Sequence, residues 1–302
     1  MRKIHLVDLQ TQYEKIQEEV DTAVLDVVRS TAYINGPEVK SFQSELENYL
    51  SVKHVIPCAN GTDALQIALM ALGCAPGDEV ITPSFTYVAT AEVIALLQLT
   101  PVFVEVNPDT FTIEPEAVRA AITDKTKAVI PVHLYGQCAQ MDEVMSIARE
   151  HGIGVVEDTA QALGSEYHSA KGSKIKAGTI GDIGCTSFFP SKNLGGYGDG
   201  GAMFTNSDEL AAKIRRLSNH GQSKRYYHDD IGVNSRLDSI QAAILRIKLR
   251  HLNTYIEARN AAAAFYDSKF DPIPQLTIPA RCSWSSHGFH QYTLKMTGVD
   301  RD

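Results

Sequence analysis

Metal-ligand signatures are missing from this chain. Its ten histidines form no H-E-x-x-H motif and no tight ligand cluster, and its five cysteines (Cys58, Cys74, Cys138, Cys185, Cys282) include no C-x-x-C pair. Metal-assisted hydrolysis and structural zinc are therefore not supported. An odd cysteine count without paired spacing gives no disulfide framework either, so a reducing compartment, the cytoplasm, is expected. Long apolar runs are absent too. None approaches the length of a membrane span, and the opening M-R-K-I-H-L-V-D-L lacks the apolar core of a signal peptide, so no membrane partner is expected. Without a secretory signal, the sequon Asn60-Gly61-Thr62 is a chance match. Basic charge is in deficit, with 28 Lys and Arg against 36 Asp and Glu and a net charge of -8. Phosphate backbones need a basic surface, so no nucleic-acid partner is expected. A G-x-S-x-G elbow, internal repeats and low-complexity segments are also lacking, which argues against an α/β-hydrolase and a solenoid.

What remains is an ordinary globular composition of 302 residues, 44% apolar and 21% charged, long enough for one large domain and a smaller one. After a short opening strand, apolar spacing from Gln12 to Val28 predicts an amphipathic helix, and Val39 to Leu50 a second. An alternation follows. Strand-like runs at 54–59, 79–83, 101–106, 128–133 and 154–157 are separated by helical patterns at 62–72, 88–98, 114–122 and 141–151. That order predicts an α/β fold with a mainly parallel sheet sandwiched by helices. Two more strands, 183–189 and 202–205, complete seven. Ser207 is placed to cap a helix to about Ser218, and 237–265 reads as one long helix with Arg and Lys on its wet face. The division expected is a large domain over 1–250, then a connecting helix and an incomplete small α/β domain over 251–302. In that tail H-G-F-H-Q-Y-T-L-K-M reads as strand.

Ligands of open parallel sheets sit at the carboxyl ends of the strands, and the residues there share one chemistry. Lys192 lies in the glycine-crowded S-F-F-P-S-K-N-L-G-G-Y-G-D-G-G. A desolvated lysine has a lowered pKa, and its neutral amine attacks carbonyls; a solvated loop lysine is the bland alternative. Asp158 ends V-V-E-D, where it either caps the next helix or pairs with a pyridinium nitrogen. Asn60-Gly61-Thr62-Asp63 opens a helix, as an ordinary cap or a phosphate site, and Ser187 offers a further hydroxyl. In P-S-F-T-Y, Tyr87 is the better ring-stacking candidate and Phe85 the better core residue. Asn234 and Arg236, in G-V-N-S-R-L, suit phosphate or carboxylate, or else a cap and a solvated cation. One decoy is set aside: G-x-G-x-x-G at 196–201 runs into a strand, whereas a dinucleotide fingerprint runs into a helix.

Together A-N-G-T-D-A-L, T-P-S-F-T-Y-V-A-T-A-E, P-V-H-L-Y-G-Q, V-V-E-D-T-A-Q-A-L-G, S-F-F-P-S-K-N-L-G-G-Y-G-D-G-G and G-V-N-S-R-L-D-S-I-Q resemble the DegT/DnrJ/StrS nucleotide-sugar aminotransferases, pyridoxal-phosphate enzymes of the aspartate aminotransferase fold. The resemblance covers nearly the whole chain in order. It implies that Lys192 binds the cofactor's aldehyde, that Asp158 pairs with the pyridine nitrogen and that Gln161 sits near the ring's 3-hydroxyl. It further implies that Tyr87 stacks on the ring and that Gly61, Thr62 and Ser187 hold the phosphate. Asn234 would reach the phosphate of a neighbouring subunit and Arg236 its substrate, which makes a homodimer; His290 and Tyr292 would lie on the substrate side. The donor implied is L-glutamate. The acceptor implied is the keto group of a nucleotide-linked sugar, closest to UDP-linked 3-keto-2-acetamido sugars and uronates, in amino-sugar or cell-surface polysaccharide biosynthesis. A dehydratase, which in this family carries histidine in place of the lysine, and a non-catalytic cofactor- or sugar-binding sensor are the alternatives. Family members continue past the point where this chain stops.

Overall fold

The computed structural model describes residues 7–298, so the expected opening strand falls mostly outside the described residues. Seven strands form the central sheet: β1 (His54–Cys58), β2 (Glu79–Pro83), β3 (Thr100–Val104), β4 (Thr126–Val129), β5 (Gly154–Asp158), β8 (Ile183–Ser187) and β9 (Gly201–Thr205), with a hairpin of β6 (Glu166–His168) and β7 (Lys174–Lys176) inserted before β8. Their spatial order is β1-β9-β8-β5-β4-β2-β3. Only β9 runs against its neighbours; every other pairing in the sheet is parallel. Parallel strands are covered on both faces, which is why these runs are nearly continuous in Val, Ile and Cys, and Val55, Val80, Ile81, Val155, Val156 and Ile183 are all fully buried.

The crossover helices are α4 (Gly61–Ala71), α5 (Ala89–Leu96), α6 (Pro115–Ala121) and α7 (Met141–His151), with α8 (Asp208–Leu217) after β9. Two of them begin at side-chain caps. Asn60 caps α4 by accepting the Asp63 N–H at 2.8 Å, and Ser207 caps α8 by accepting from Leu210. The first amphipathic stretch is not one helix but two, α1 (Leu9–Glu14) and α2 (Gln17–Ser30), parted at Lys15 and Ile16. With α3 (Pro37–Leu50), α2 packs on α9 (Ser239–Phe270), which passes residue 250 without a break.

That packing corrects the wet-face expectation for α9. Arg246 bridges to Glu38 and Glu45 of α3, and Lys248 is only 1% exposed, its amine 5.2 Å from the Tyr197 ring centroid. Burial pushes the Lys248 pKa down to about 8. A lysine whose folded pKa is depressed holds fewer protons folded than unfolded, so stability rises with pH from about 8 to the ordinary value near 10.4, and below 8 the whole cost is present. Lys248→Met is therefore expected to stabilise the protein at pH 7 by about 3 kcal/mol, since one pKa unit is worth about 1.4 kcal/mol. Urea denaturation of both proteins at pH 7 and at pH 10 checks it: the gap must narrow at the higher pH, and an equal gap at both would refute it.

The tail also differs from expectation. Residues 287–294 form no strand: His287 makes an isolated antiparallel bridge to Gln137, and the strand pairing of the tail is that of Lys295–Met296 with Leu276–Thr277. Instead the segment lies as a strap over the loop after β4, with Gly288 N–H donating to Gly136 and His290 N–H to Tyr135. Phe289 at φ 41° breaks the pleat, and Arg259 of α9 donates to the Phe289 and His290 carbonyls. An alternating pattern needs a partner edge to become a strand, and here the backbone groups are taken by α9 and a loop.

Candidate active site

The carboxyl ends of β1, β2, β5 and β8 and the loop after β4 open into one cavity of about 790 Å³. Gly61, Thr62, Tyr87, Asp158, Gln161, Ser187, Lys192 and His290 all line it. Eight of the eleven residues singled out in the sequence are thus brought together. Three are not. Tyr292 donates its hydroxyl to Asp267 at 2.8 Å and packs among Tyr266, Phe270 and Phe289, which withdraws it from the cavity. Asn234 and Arg236 flank Ser235, whose hydroxyl accepts the Ala59 N–H at 3.0 Å, so this segment presses on the cavity's backbone from outside.

Lys192 follows β8, its backbone N–H donating to Phe189. Its pKa is lowered: burial disfavours the ammonium and outweighs the opposing charge of Asp158. Asp158 is 7% exposed at the end of β5. Its Oδ2 accepts from the Thr90 hydroxyl at 2.9 Å and its Oδ1 from Ala160 N–H at 3.1 Å, which fixes the plane of the carboxylate. Gln161 uses its Oε1 to accept the Tyr135 N–H at 2.8 Å, leaving its amide N–H groups for a ligand. His290 has its pKa pushed down to about 3, by burial first and then by Lys192 and Arg259, so it stands neutral in the cavity. Its Nδ1 is buried without a partner.

Several residues escaped the sequence reading. Glu157, fully buried, accepts from His133 Nε2 at 2.8 Å, Gly178 N–H at 3.0 Å, and the N–H groups of Ile180 and Gly181 at 2.6 Å each. His133 Nδ1 accepts from Ala139 N–H, so the proton sits on Nε2 and points at Glu157. This knot ties the loops after β4 and β7 to β5 and so sets the height of Asp158. The signal was present in V-V-E-D, as an acid inside an otherwise apolar strand. Phe85, expected in the core, is 46% exposed and lines the cavity.

A family profile matches residues 14–302 and describes the DegT/DnrJ/EryC1/StrS aminotransferase family. The chain belongs to that family. It is 51% identical over 264 residues, 87% of this chain and 72% of the relative, to a UDP-2-acetamido-2-deoxy-3-oxo-D-glucuronate aminotransferase of Pseudomonas aeruginosa. Among solved structures it is similar to S. venezuelae DesV, with TM-score 0.94, 40% identity and coverage of 99% of this chain and 79% of that one. It is also similar to NtdA from Bacillus subtilis with bound cofactor PMP, at TM-score 0.86, 31% identity and coverage of 98% and 68%. The chain is thus a sugar aminotransferase of the pyridoxal-phosphate fold, and its relatives do not favour the dehydratase alternative.

The cavity fits that cofactor. Where the phosphate would lie, the start of α4 meets Ser187 so closely that a Cβ on Gly61 would stand 2.7 Å from the Ser187 Cβ, and any side chain there would fill the cradle. The N–H groups of the first turn of α4 face it with the dipole's positive end. At the other end, a fixed carboxylate at the end of β5 and an amine held below its ordinary pKa, in the loop after the neighbouring β8, line the same cavity.

Proposed function

We propose that this protein is a pyridoxal-phosphate-dependent aminotransferase that moves an amino group from L-glutamate to the 3-keto carbon of a UDP-linked 2-acetamido sugar, in the cytoplasm, for amino-sugar or polysaccharide assembly. The observation that carries the reading is the meeting in one cavity of Asp158, at the end of β5, and Lys192, in the loop that follows the neighbouring strand β8. The identity to the P. aeruginosa enzyme supports the substrate class. When bound, the cofactor supplies an electron-withdrawing ring that makes a proton on the neighbouring carbon labile. Asp158 keeps the ring nitrogen protonated through a charged hydrogen bond. Lys192, half-buried and with its pKa lowered by that burial, takes that proton and returns it one atom away. Gly61, Thr62 and Ser187 hold the phosphate, Tyr87 covers a face of the ring, and Gln161 donates toward its 3-oxygen.

In this reading the protein works as a homodimer, with Asn234 and Arg236 serving the partner's site. Support comes from large apolar side chains that this chain leaves exposed, Tyr87 and Phe189 in the cavity lining and Val88 and Ile231 outside it. Residues 1–250 would be the cofactor-binding unit, and 251–302 the connecting helix and a small-domain segment.

The test is a screen of 3-keto and 4-keto nucleotide sugars with L-glutamate, read by mass. Expected is an amino sugar from a UDP-linked 3-keto substrate and conversion of the cofactor to its amine form by glutamate alone. Cofactor binding without either conversion would replace the proposal by the sensor reading.

A further inference from the structure

Phe85, Phe111 and Tyr135 come from three separate segments and meet beside the cavity. Phe85 and Tyr135 line it, and Phe111 backs both, with ring centroids 5.5 Å (Phe85–Phe111), 5.7 Å (Phe111–Tyr135) and 6.5 Å (Phe85–Tyr135) apart. Two are edge-to-face pairs, at 72° and 81°. We propose that this cluster is the sugar-facing wall of the site, taking the apolar C–H face of the substrate's pyranose ring; the assignment rests on the nucleotide-sugar reading given above.

Four observations carry it. First, a large aromatic left 46% exposed inside a cavity that also holds Lys192 is placed to meet a ligand and not the core. Second, the wall is built at a conformational cost. Phe111 and Tyr135 have φ of 58° and 59°, a region that L side chains rarely adopt, and such strain persists where the surroundings over-determine it, typically at ligand sites. Third, the surroundings do over-determine it. Phe111 N–H donates to the Asn107 carbonyl at 2.8 Å, while the Asn107 side chain takes the N–H groups of Asp109 and Thr110. Tyr135 is gripped by Gln161 at its N–H and by His290 at its carbonyl. Fourth, the keto carbon has to come within reach of Lys192, so the pyranose is the part of the substrate that shares this cavity. A pyranose has an apolar C–H face and a hydroxyl rim. Aromatic rings suit the first, and His290, with its partnerless Nδ1, and Gln291 line the same cavity for the second.

The experiment compares the wild-type holoenzyme in its amine-loaded form with Phe85→Ala, using UDP-N-acetylglucosamine, which has no keto group and does not react, and UDP as calorimetric probes. The wall predicts that Phe85→Ala weakens the nucleotide sugar by about tenfold or more while UDP changes by less than about twofold, and that Phe85→Tyr restores binding. Equal weakening of both probes would move the wall to the nucleotide and overturn the proposal. So would unchanged binding of both, or loss of cofactor absorbance in Phe85→Ala, which would make the ring a cofactor support. If the wild type binds neither probe, the nucleotide-sugar reading itself falls and takes the wall with it.

Discussion

Lys192→Ala is expected to remove the visible absorbance of lysine-bound cofactor and to cut turnover by about four orders of magnitude or more, because one side chain serves both as covalent anchor and as proton carrier. The cofactor itself should stay. The cradle of α4 and Ser187, the Asp158 carboxylate and the Tyr87 ring are untouched by the change, so extraction and mass measurement should still find it in the variant. Lys192→Arg should be as inactive, since a guanidinium never gives up its proton in a protein and has no free amine to offer. A pH series on the wild type adds the sign. Burial lowers the Lys192 pKa against the pull of Asp158, so the free amine grows in as pH rises through a value below that of an ordinary lysine. The activity of the proton-transfer step should therefore rise with pH on its acid limb, earlier than a solvated lysine would allow. Retained turnover in either variant would dismiss Lys192 as the proton carrier.

Much of this site was legible in the sequence because parallel β/α chains punctuate themselves. Each strand ends in polar or glycine residues before a capped helix, so Thr62, Tyr87, Asp158 and Lys192 could be placed at carboxyl ends before any coordinates, and the cavity gathers them. What was not legible depends on partners remote in sequence. Lys248 looks like a solvated helix lysine until α2 and α3 are laid on α9. Residues 287–294 alternate like a strand, but their backbone groups are taken by the loop after β4 and by Arg259 of α9, and Phe289 turns to positive φ under Arg259 and Arg281. Phe85 looked like core because apolar aromatics usually are; only the meeting with Phe111 and Tyr135 shows it facing a cavity. Glu157 was passed over for its neighbour Asp158, although an acid with four N–H donors is the firmer anchor of the two.

Mixing two inactive variants should restore activity. Arg236 is half-buried, lines no part of its own chain's cavity, and among the described residues its guanidinium has no hydrogen-bond or ion-pair partner. Ser235 pins the segment against Ala59, at the phosphate end, so a short reach across a two-fold axis would bring Arg236 to the opposite site. In the proposed homodimer the two-fold interface is isologous, and each site would combine Lys192 of one chain with Arg236 of the other. In a dimer of Lys192→Ala with Arg236→Ala, one site carries both substitutions and the other carries neither. Random pairing makes half the dimers mixed, each with one intact site of two, so recovery should approach about a quarter of wild-type turnover. Co-expression of the two chains with different tags, followed by tandem purification of the mixed dimer, sharpens the expectation to about half. If Arg236 served its own chain, the mixed dimer would hold one site without lysine and one without arginine, and its activity would be about half that of the Arg236→Ala parent.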